Sequence, residues 1–167
     1  MDCLLCHPLP GYEVWERAHW RLAVNYNQNT LGKCFLILKR HDEDICDLTS
    51  DELTDLWAAI RRVRDALRTR FQPDRFNYSF LMNQDRHVHL HVIPRYDAPR
   101  AFAGLDFLDR DPIPPFSIPD PIRDQLVMTL REALDEQPPA IIPHPLPHNA
   151  ADQDTAFFPP RPLRSPR

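Results

Sequence analysis

The chain predicts an α+β fold: an antiparallel sheet of about five strands carrying one main helix, with a short C-terminal helix beside it. Two observations carry this. The stretch "RHVHLHVIPRY", Arg86 to Tyr96, alternates imidazole and aliphatic side chains with the period of two that a strand requires. The stretch "TSDELTDLWAAIRRVRDALRTRF" repeats apolar residues with the period of an amphipathic helix.

Each element follows in chain order. "YEVWERAHWRLAVNY" holds alternating segments suited to two short strands, and "NQNTLGK" is a polar turn with one of only three glycines. "KCFLILKR" is an apolar run of strand length, read as fully buried. After the loop "HDEDICDL" the helix opens, with Thr49 and Glu52 at capping-box spacing. Leu53, Leu56, Trp57, Ile60, Val63, Leu67 and Phe71 form its apolar stripe, and Arg61, Arg62, Arg64 and Arg68 read as a solvated face. "QPDR" ends the helix. "FNYSFLMN" and "HVHLHVIPRY" then read as a hairpin closed by the tight turn "QDR". Residues 97–121 are proline-rich and loop-like. "PIRDQLVMTLREALDE" is a second helix, with Ile122, Leu126, Leu130 and Leu134 on one side. This divides the chain into a domain at 1–136 and a proline-rich extended tail at 137–167, of polyproline II type.

Composition narrows the function. With 43% hydrophobic residues in 167, the chain can build a core, and a formal net charge of −4 implies no general attraction to nucleic acid. No apolar run approaches the roughly 20 residues that span a bilayer. The opening "MDCLLCHPLP" lacks a basic region followed by an apolar one, so a cytoplasmic location with reduced thiols is expected.

His87, His89 and His91 share one strand face, about 6.6 Å between successive members at ~3.3 Å rise per residue, while Val88, Leu90 and Val92 share the other. The aliphatic face suits packing on the helix. Three adjacent imidazoles pack poorly and point to chemistry. One ion held by all three is disfavoured, because the outer pair stand roughly 13 Å apart along a straight strand. Nucleophilic catalysis by an imidazole fits better.

"HVHLHVI" resembles the H-φ-H-φ-H-φ-φ signature of the histidine triad (HIT) family of nucleotide hydrolases and transferases. "LGKCFLILKRH", "DLTSDELTDLW" and "HVHLHVIPRY" are similar to successive elements of that family in the same order. The resemblance covers roughly Cys3 to Tyr96. It implies that His89 attacks the α-phosphorus to form a nucleotidyl-histidine intermediate, with a neighbouring backbone carbonyl holding its other nitrogen. It places His91 by the phosphate oxygens, and it implies a homodimer and no catalytic cofactor.

"CLLC" places Cys3 and Cys6 at C-x-x-C spacing, a redox motif or half of a zinc site. Zinc requires four ligands. His41 closes the buried strand and His87 opens the triad strand, so neighbouring strands would bring them together. His7 and His19 are competing ligands. Zinc-binding members of the family use this arrangement, which implies one structural zinc on Cys3, Cys6, His41 and His87.

The resemblance also implies a ribose contact from Asn25, with Asn27 and Asn29 nearby. The sequence departs from the family before the triad. "MNQDRH" is short and lacks the usual glycine-containing loop, leaving Asn83 and Gln84 as phosphate donors; Lys33 stands where many members carry histidine. Expected substrates are dinucleoside polyphosphates, nucleoside phosphoramidates or other nucleotidyl compounds. A different class of reading is a catalytically weak, zinc-stapled nucleotide-binding module, whose tail "FFPPRPLRSPR" recruits a polyproline-binding partner.

Overall fold

The computed structural model describes residues 3–109 and 115–137. Five strands form one antiparallel sheet in the order β1-β2-β3-β5-β4. They are β1 (Glu13–Glu16), β2 (Trp20–Val24), β3 (Cys34–Leu38), β4 (Arg75–Ser79) and β5 (His89–Arg95). The main helix α1 spans Ser50–Phe71 and the second helix α2 spans Asp120–Asp135. The α+β architecture is the expected one. The tail expectation lies outside the described residues beyond Gln137.

Alternation sorts the central strands onto two faces. Trp20, Leu22, Val24, Cys34, Leu36, Leu38, Leu90 and Val92 join Leu56, Ala59, Val63, Ala66 and Leu67 of α1 in the main core. Ala23, Phe35 and Ile37 point the other way and pack with Leu5 of the N-terminal segment. The register Phe35↔His91 and Ile37↔His89 places both histidines on this second face. The imidazoles therefore lie on the side of the sheet that α1 does not cover.

Local signals explain the helix ends. Thr49 accepts from the Glu52 N–H, and the Glu52 carboxylate accepts from the Thr49 N–H, closing the capping box. Arg40 also binds that carboxylate, at 2.6 and 2.9 Å, and holds it well below the usual range, at about 2. This bond ties the end of β3, and with it His41, to the start of α1. Gly32 adopts φ +80, and a Cβ there would lie 2.9 Å from Leu67 Cδ2 and 3.1 Å from Phe71 Cδ2. Both backbone and packing demand glycine in the β2–β3 turn.

Several expectations are corrected. The β4–β5 connection is no tight turn: it runs from residue 80 to 88, and β5 begins at His89 rather than His87. The reason lies in pairing. The Val88 N–H donates to Asp42 O and its carbonyl accepts from the Leu38 N–H, so this residue bridges β3 and its following loop and has no partner on β4. Leu53 and Trp57 were read into the buried stripe, yet they are 39% and 61% exposed. Arg62 is not simply solvated: its guanidinium donates to Leu134 O at 2.6 Å and lies over the Trp15 ring, joining α1 to α2. The expected loop after Tyr96 contains a hairpin, β6 (Arg100–Phe102) and β7 (Leu105–Phe107), turned by Ala103 and Gly104, both at positive φ. The glycine between two short alternating runs was its signal.

Candidate active site and metal centre

The N-terminal segment crosses the imidazole face. Leu5 anchors it in the core, and its carbonyl accepts from Arg21 Nη2 at 2.6 Å. Arg21 is itself held by Glu13 at 2.6 Å. The anchored turn Leu4–Cys6 presents Cys3 and Cys6 on either side of Leu5. Cys3 Sγ lies 3.3 Å from His87 Nδ1, and Cys6 Sγ lies 3.4 Å from His41 Nδ1 and 3.6 Å from His87 Nδ1. The two imidazole nitrogens are 3.4 Å apart. All four donor atoms fall within 4.8 Å of one another.

These separations can be tested against a metal. A tetrahedral ion with bonds of about 2.3 Å to sulfur and about 2.05 Å to nitrogen spaces its S and N donors by roughly 3.5 Å and its two N donors by roughly 3.3 Å. The four residues match that shape, so Cys3, Cys6, His41 and His87 can hold one metal ion. The donor His87 Nε2–H points to Leu38 O at 2.7 Å, which leaves the Nδ1 lone pair facing the thiols. Burial, then the charges of His41, His89 and Arg21, lowers the His87 pKa and favours that neutral form. His7 and His19 lie outside the cluster.

His89 begins β5 two residues further on and is buried. Its Nδ1–H donates to the carbonyl of His87 at 2.6 Å. This bond assigns the lone pair to Nε2, the atom a nucleophile would use. His91 follows at a ring distance of 5.0 Å. Phe35 underlies both rings, at 5.7 Å from His89 and 4.9 Å from His91. Asn25 Nδ2 donates to His91 Nδ1 at 3.4 Å, which places the His91 proton on Nε2. Burial, then the charges of His89 and Lys33, lowers the His91 pKa to about 4, so it is neutral at pH 7 and donates through Nε2.

His89 and His91 line an open pocket of about 180 Å³ with Tyr26, Phe35, Leu81, Asn83, Gln84 and Asp85. Asn83 and Gln84 thus line the same pocket as the two histidines. Asn25 does not line the pocket: it is 2% exposed, and its Oδ1 accepts from the Asn27 N–H. It stands behind His91. Sequence reasoning missed Phe35, Tyr26 and Asp85. Phe35 was detectable, because alternation in "CFLIL" places it on the triad face once β3 and β5 are paired. Asp85 was not, because it depends on a loop that was read as a tight turn.

The HIT domain model matches residues 11–98, just over half of the chain, and the chain belongs to this family. An uncharacterized HIT-like protein of Mycobacterium tuberculosis is 26% identical over 148 residues, covering 82% of this chain and 96% of that protein. The asymmetrical bis(5′-nucleosyl)-tetraphosphatase of Schizosaccharomyces pombe is 32% identical over 94 residues, 53% of this chain and 52% of that one. Among solved structures, a zinc-bound histidine triad family protein from Mycobacterium smegmatis superposes with a TM-score of 0.62 at 22% identity, covering 80% of this chain and 94% of that chain. Among the described residues no helix is long and apolar enough to cross a membrane.

Proposed function

We propose that this HIT-domain protein cleaves or transfers a nucleotidyl group through a covalent intermediate on His89. One observation carries the reading: the His89 Nδ1–H is held by His87 O, which puts the lone pair of the neutral ring on Nε2, in a pocket shared with His91. His89 Nε2 attacks the α-phosphorus, and the leaving group departs with the electrons of its bond. His91, neutral and protonated on Nε2, donates to a phosphate oxygen as charge shifts in the transition state. Asn83 and Gln84 supply further donors, and Asn25 keeps His91 in the donating tautomer while its neighbourhood receives the ribose. Water then hydrolyses the histidine–phosphorus bond, or a second acceptor takes the nucleotide. The candidate substrates are dinucleoside polyphosphates and nucleoside phosphoramidates. Mass spectrometry after acid-free quenching, on a panel of both, tests this: an adduct of one nucleotide mass on the His89 peptide is expected, and turnover without such an adduct would refute the intermediate.

Zinc is the proposed occupant of the Cys3, Cys6, His41 and His87 cluster. Its donor set closes a four-coordinate shell, so the metal would supply structure by fixing the N-terminal segment to the first triad histidine. A homodimer is proposed on a separate observation. Among the described residues strand β4 is an unpaired sheet edge, and beside it Trp57 and Tyr78 are exposed around an apolar groove of about 350 Å³. A second copy covers such an edge by pairing strand to strand. Trp57→Asp should shift sedimentation from dimer to monomer; unchanged sedimentation would remove this interface.

A further inference from the structure

The pocket that holds the two catalytic histidines has an unusual charge balance for a site meant to receive phosphate. Among the described residues eight side chains line it; none of these is a lysine or arginine, and one, Asp85, is a carboxylate. Arg86, the cation nearest in sequence, is exposed and is not among the lining residues. Lys33 is half-buried on the His91 side: Cys34 pairs with Val92, which puts Lys33 level with the residue after it. Its ammonium lies 3.5 Å from Asn29 Oδ1. The site therefore has a cation on the His91 strand register and an anion, Asp85, on the loop that lines the pocket.

This arrangement bears on the two ends of a substrate differently. The nucleoside end is assigned to the pocket wall with His91 and Tyr26; Asn25 is buried behind it. In an in-line displacement the leaving group departs opposite the attacking Nε2, and one that stays within this pocket has Asn83, Gln84 and Asp85 among its lining residues. A polyphosphate leaving group would bring several negative charges beside the Asp85 carboxylate. A leaving group carrying an ammonium would instead find a counter-charge.

We propose that Asp85 selects the leaving group by charge, favouring nucleotidyl compounds whose leaving group is cationic over those whose leaving group is anionic. The inference rests on the nucleotidyl-histidine reading and narrows its substrate class. For a phosphoramidate the bookkeeping is complete: the Nε2–phosphorus bond forms, the phosphorus–nitrogen bond breaks, and its electron pair leaves on the amine nitrogen, which takes a proton from water. A second water then delivers its oxygen to phosphorus, the Nε2–phosphorus bond breaks with its electron pair returning to His89, and the proton released neutralises the hydroxide left by the first step, so nucleoside monophosphate and free amine are the products. Asp85 neither gains nor loses a proton in this scheme. It acts only through its charge, so it is a specificity residue.

Three adenosine 5′-phosphoramidates with leaving amines of equal reach separate charge from shape: 1,2-diaminoethane carries an ammonium, ethanolamine a hydroxyl and β-alanine a carboxylate. For the full chain, kcat/KM should fall in that order, by about tenfold at each step, as one unit charge at a partly solvated site would give. In Asp85→Asn the spread should collapse to within about threefold. Asp85→Ser, which places a neutral hydroxyl there, should collapse it as well, and raising the salt should narrow it in the parent protein only. The fold is protected, because it is the Asp85 backbone carbonyl that accepts from the His87 N–H, at 2.9 Å. An order that survives both substitutions, or a parent preference for the β-alanine compound, overturns the selector while leaving the nucleotidyl-transfer reading intact. Failure of the parent to turn over any of the three overturns the selector, and failure on a dinucleoside polyphosphate as well overturns the underlying reading.

Discussion

His87 and His89 lie two residues apart, both buried, and are given opposite surroundings. Around His87 four donor atoms converge within 4.8 Å, and the Nε2 side of the ring is spent on Leu38 O. Around His89 the Nδ1 side is spent on His87 O, and Nε2 opens onto a pocket that Asn83 and Gln84 line from exposed positions. One ring is closed in on both sides; the other keeps one side open. The same residue type is thus prepared for holding or for reacting by which nitrogen the backbone takes. The two sites are also joined: the His87 side chain faces the thiols while its carbonyl accepts from His89 Nδ1–H.

The largest effect that separates the two sites is expected from His89→Asn. Asparagine keeps a polar side chain but cannot form the phosphorus–nitrogen bond, so turnover should drop by about 10⁴-fold or more. Metal content and melting temperature should remain near those of the parent. Steady-state kinetics with a nucleotide ester, paired with elemental analysis, measures both. Substantial residual turnover would mean that His89 is not the bond-forming atom. His91→Asn removes a donor rather than the nucleophile, and a loss of about 10²–10³ in kcat is expected. A loss equal to that of His89→Asn would point to a different division of labour on the strand.

Cys3→Ser sharpens the contrast from the other side. It should release the metal and lower the Tm by about 5–10 °C, because metal binding energy is also folding energy in a small domain. Activity should fall with the folded fraction and recover on cooling. Elemental analysis of protein purified under reducing conditions without chelator gives the decisive number. A parent chain carrying no zinc would remove the structural-zinc proposal, and the catalytic one would stand.

The two sites were unequally legible in the sequence. The metal cluster depends on the C-x-x-C motif, which is local, and on the pairing of β3 with β5, which is long-range and was implied by the family resemblance. Once β3 and β5 are neighbours, His41 and His87 meet at their ends. The triad face was legible from local pattern, since alternation alone separates His89 and His91 from Leu90 and Val92. What failed was what tertiary contacts decide. Val88 pairs with Leu38 and Asp42 instead of β4, and this frees nine residues to form the loop that brings Asp85 into the pocket. Trp57 lies on the helical stripe, but the stripe is wider than the sheet beneath it, and its outer edge is left at β4. Arg62 looks like any surface arginine until α2 supplies the carbonyls it binds. None of these partners is near in sequence.

The smallest predicted effect concerns the open site and pH. His91 is half-buried and its pKa is lowered from 6.5 to about 4, by burial first and then by the charges of His89 and Lys33. In the unfolded chain the imidazole takes up a proton below about pH 6.5, whereas in the folded chain it resists until about pH 4. The unfolded state therefore binds more protons across that window, and stability must fall as the pH falls through it. After discounting for the ring's partial exposure, the loss attributable to His91 is about 1–2 kcal/mol. Other groups titrate over the same range, so the measurement is a difference: urea denaturation of the parent and of His91→Asn at intervals from pH 7.5 to 4. The asparagine variant should lose less stability than the parent between pH 6.5 and 4, and its curve should run parallel above pH 7. Parallel curves throughout would show that His91 titrates as a solvated imidazole. It could not then serve as a neutral donor held in one tautomer by Asn25.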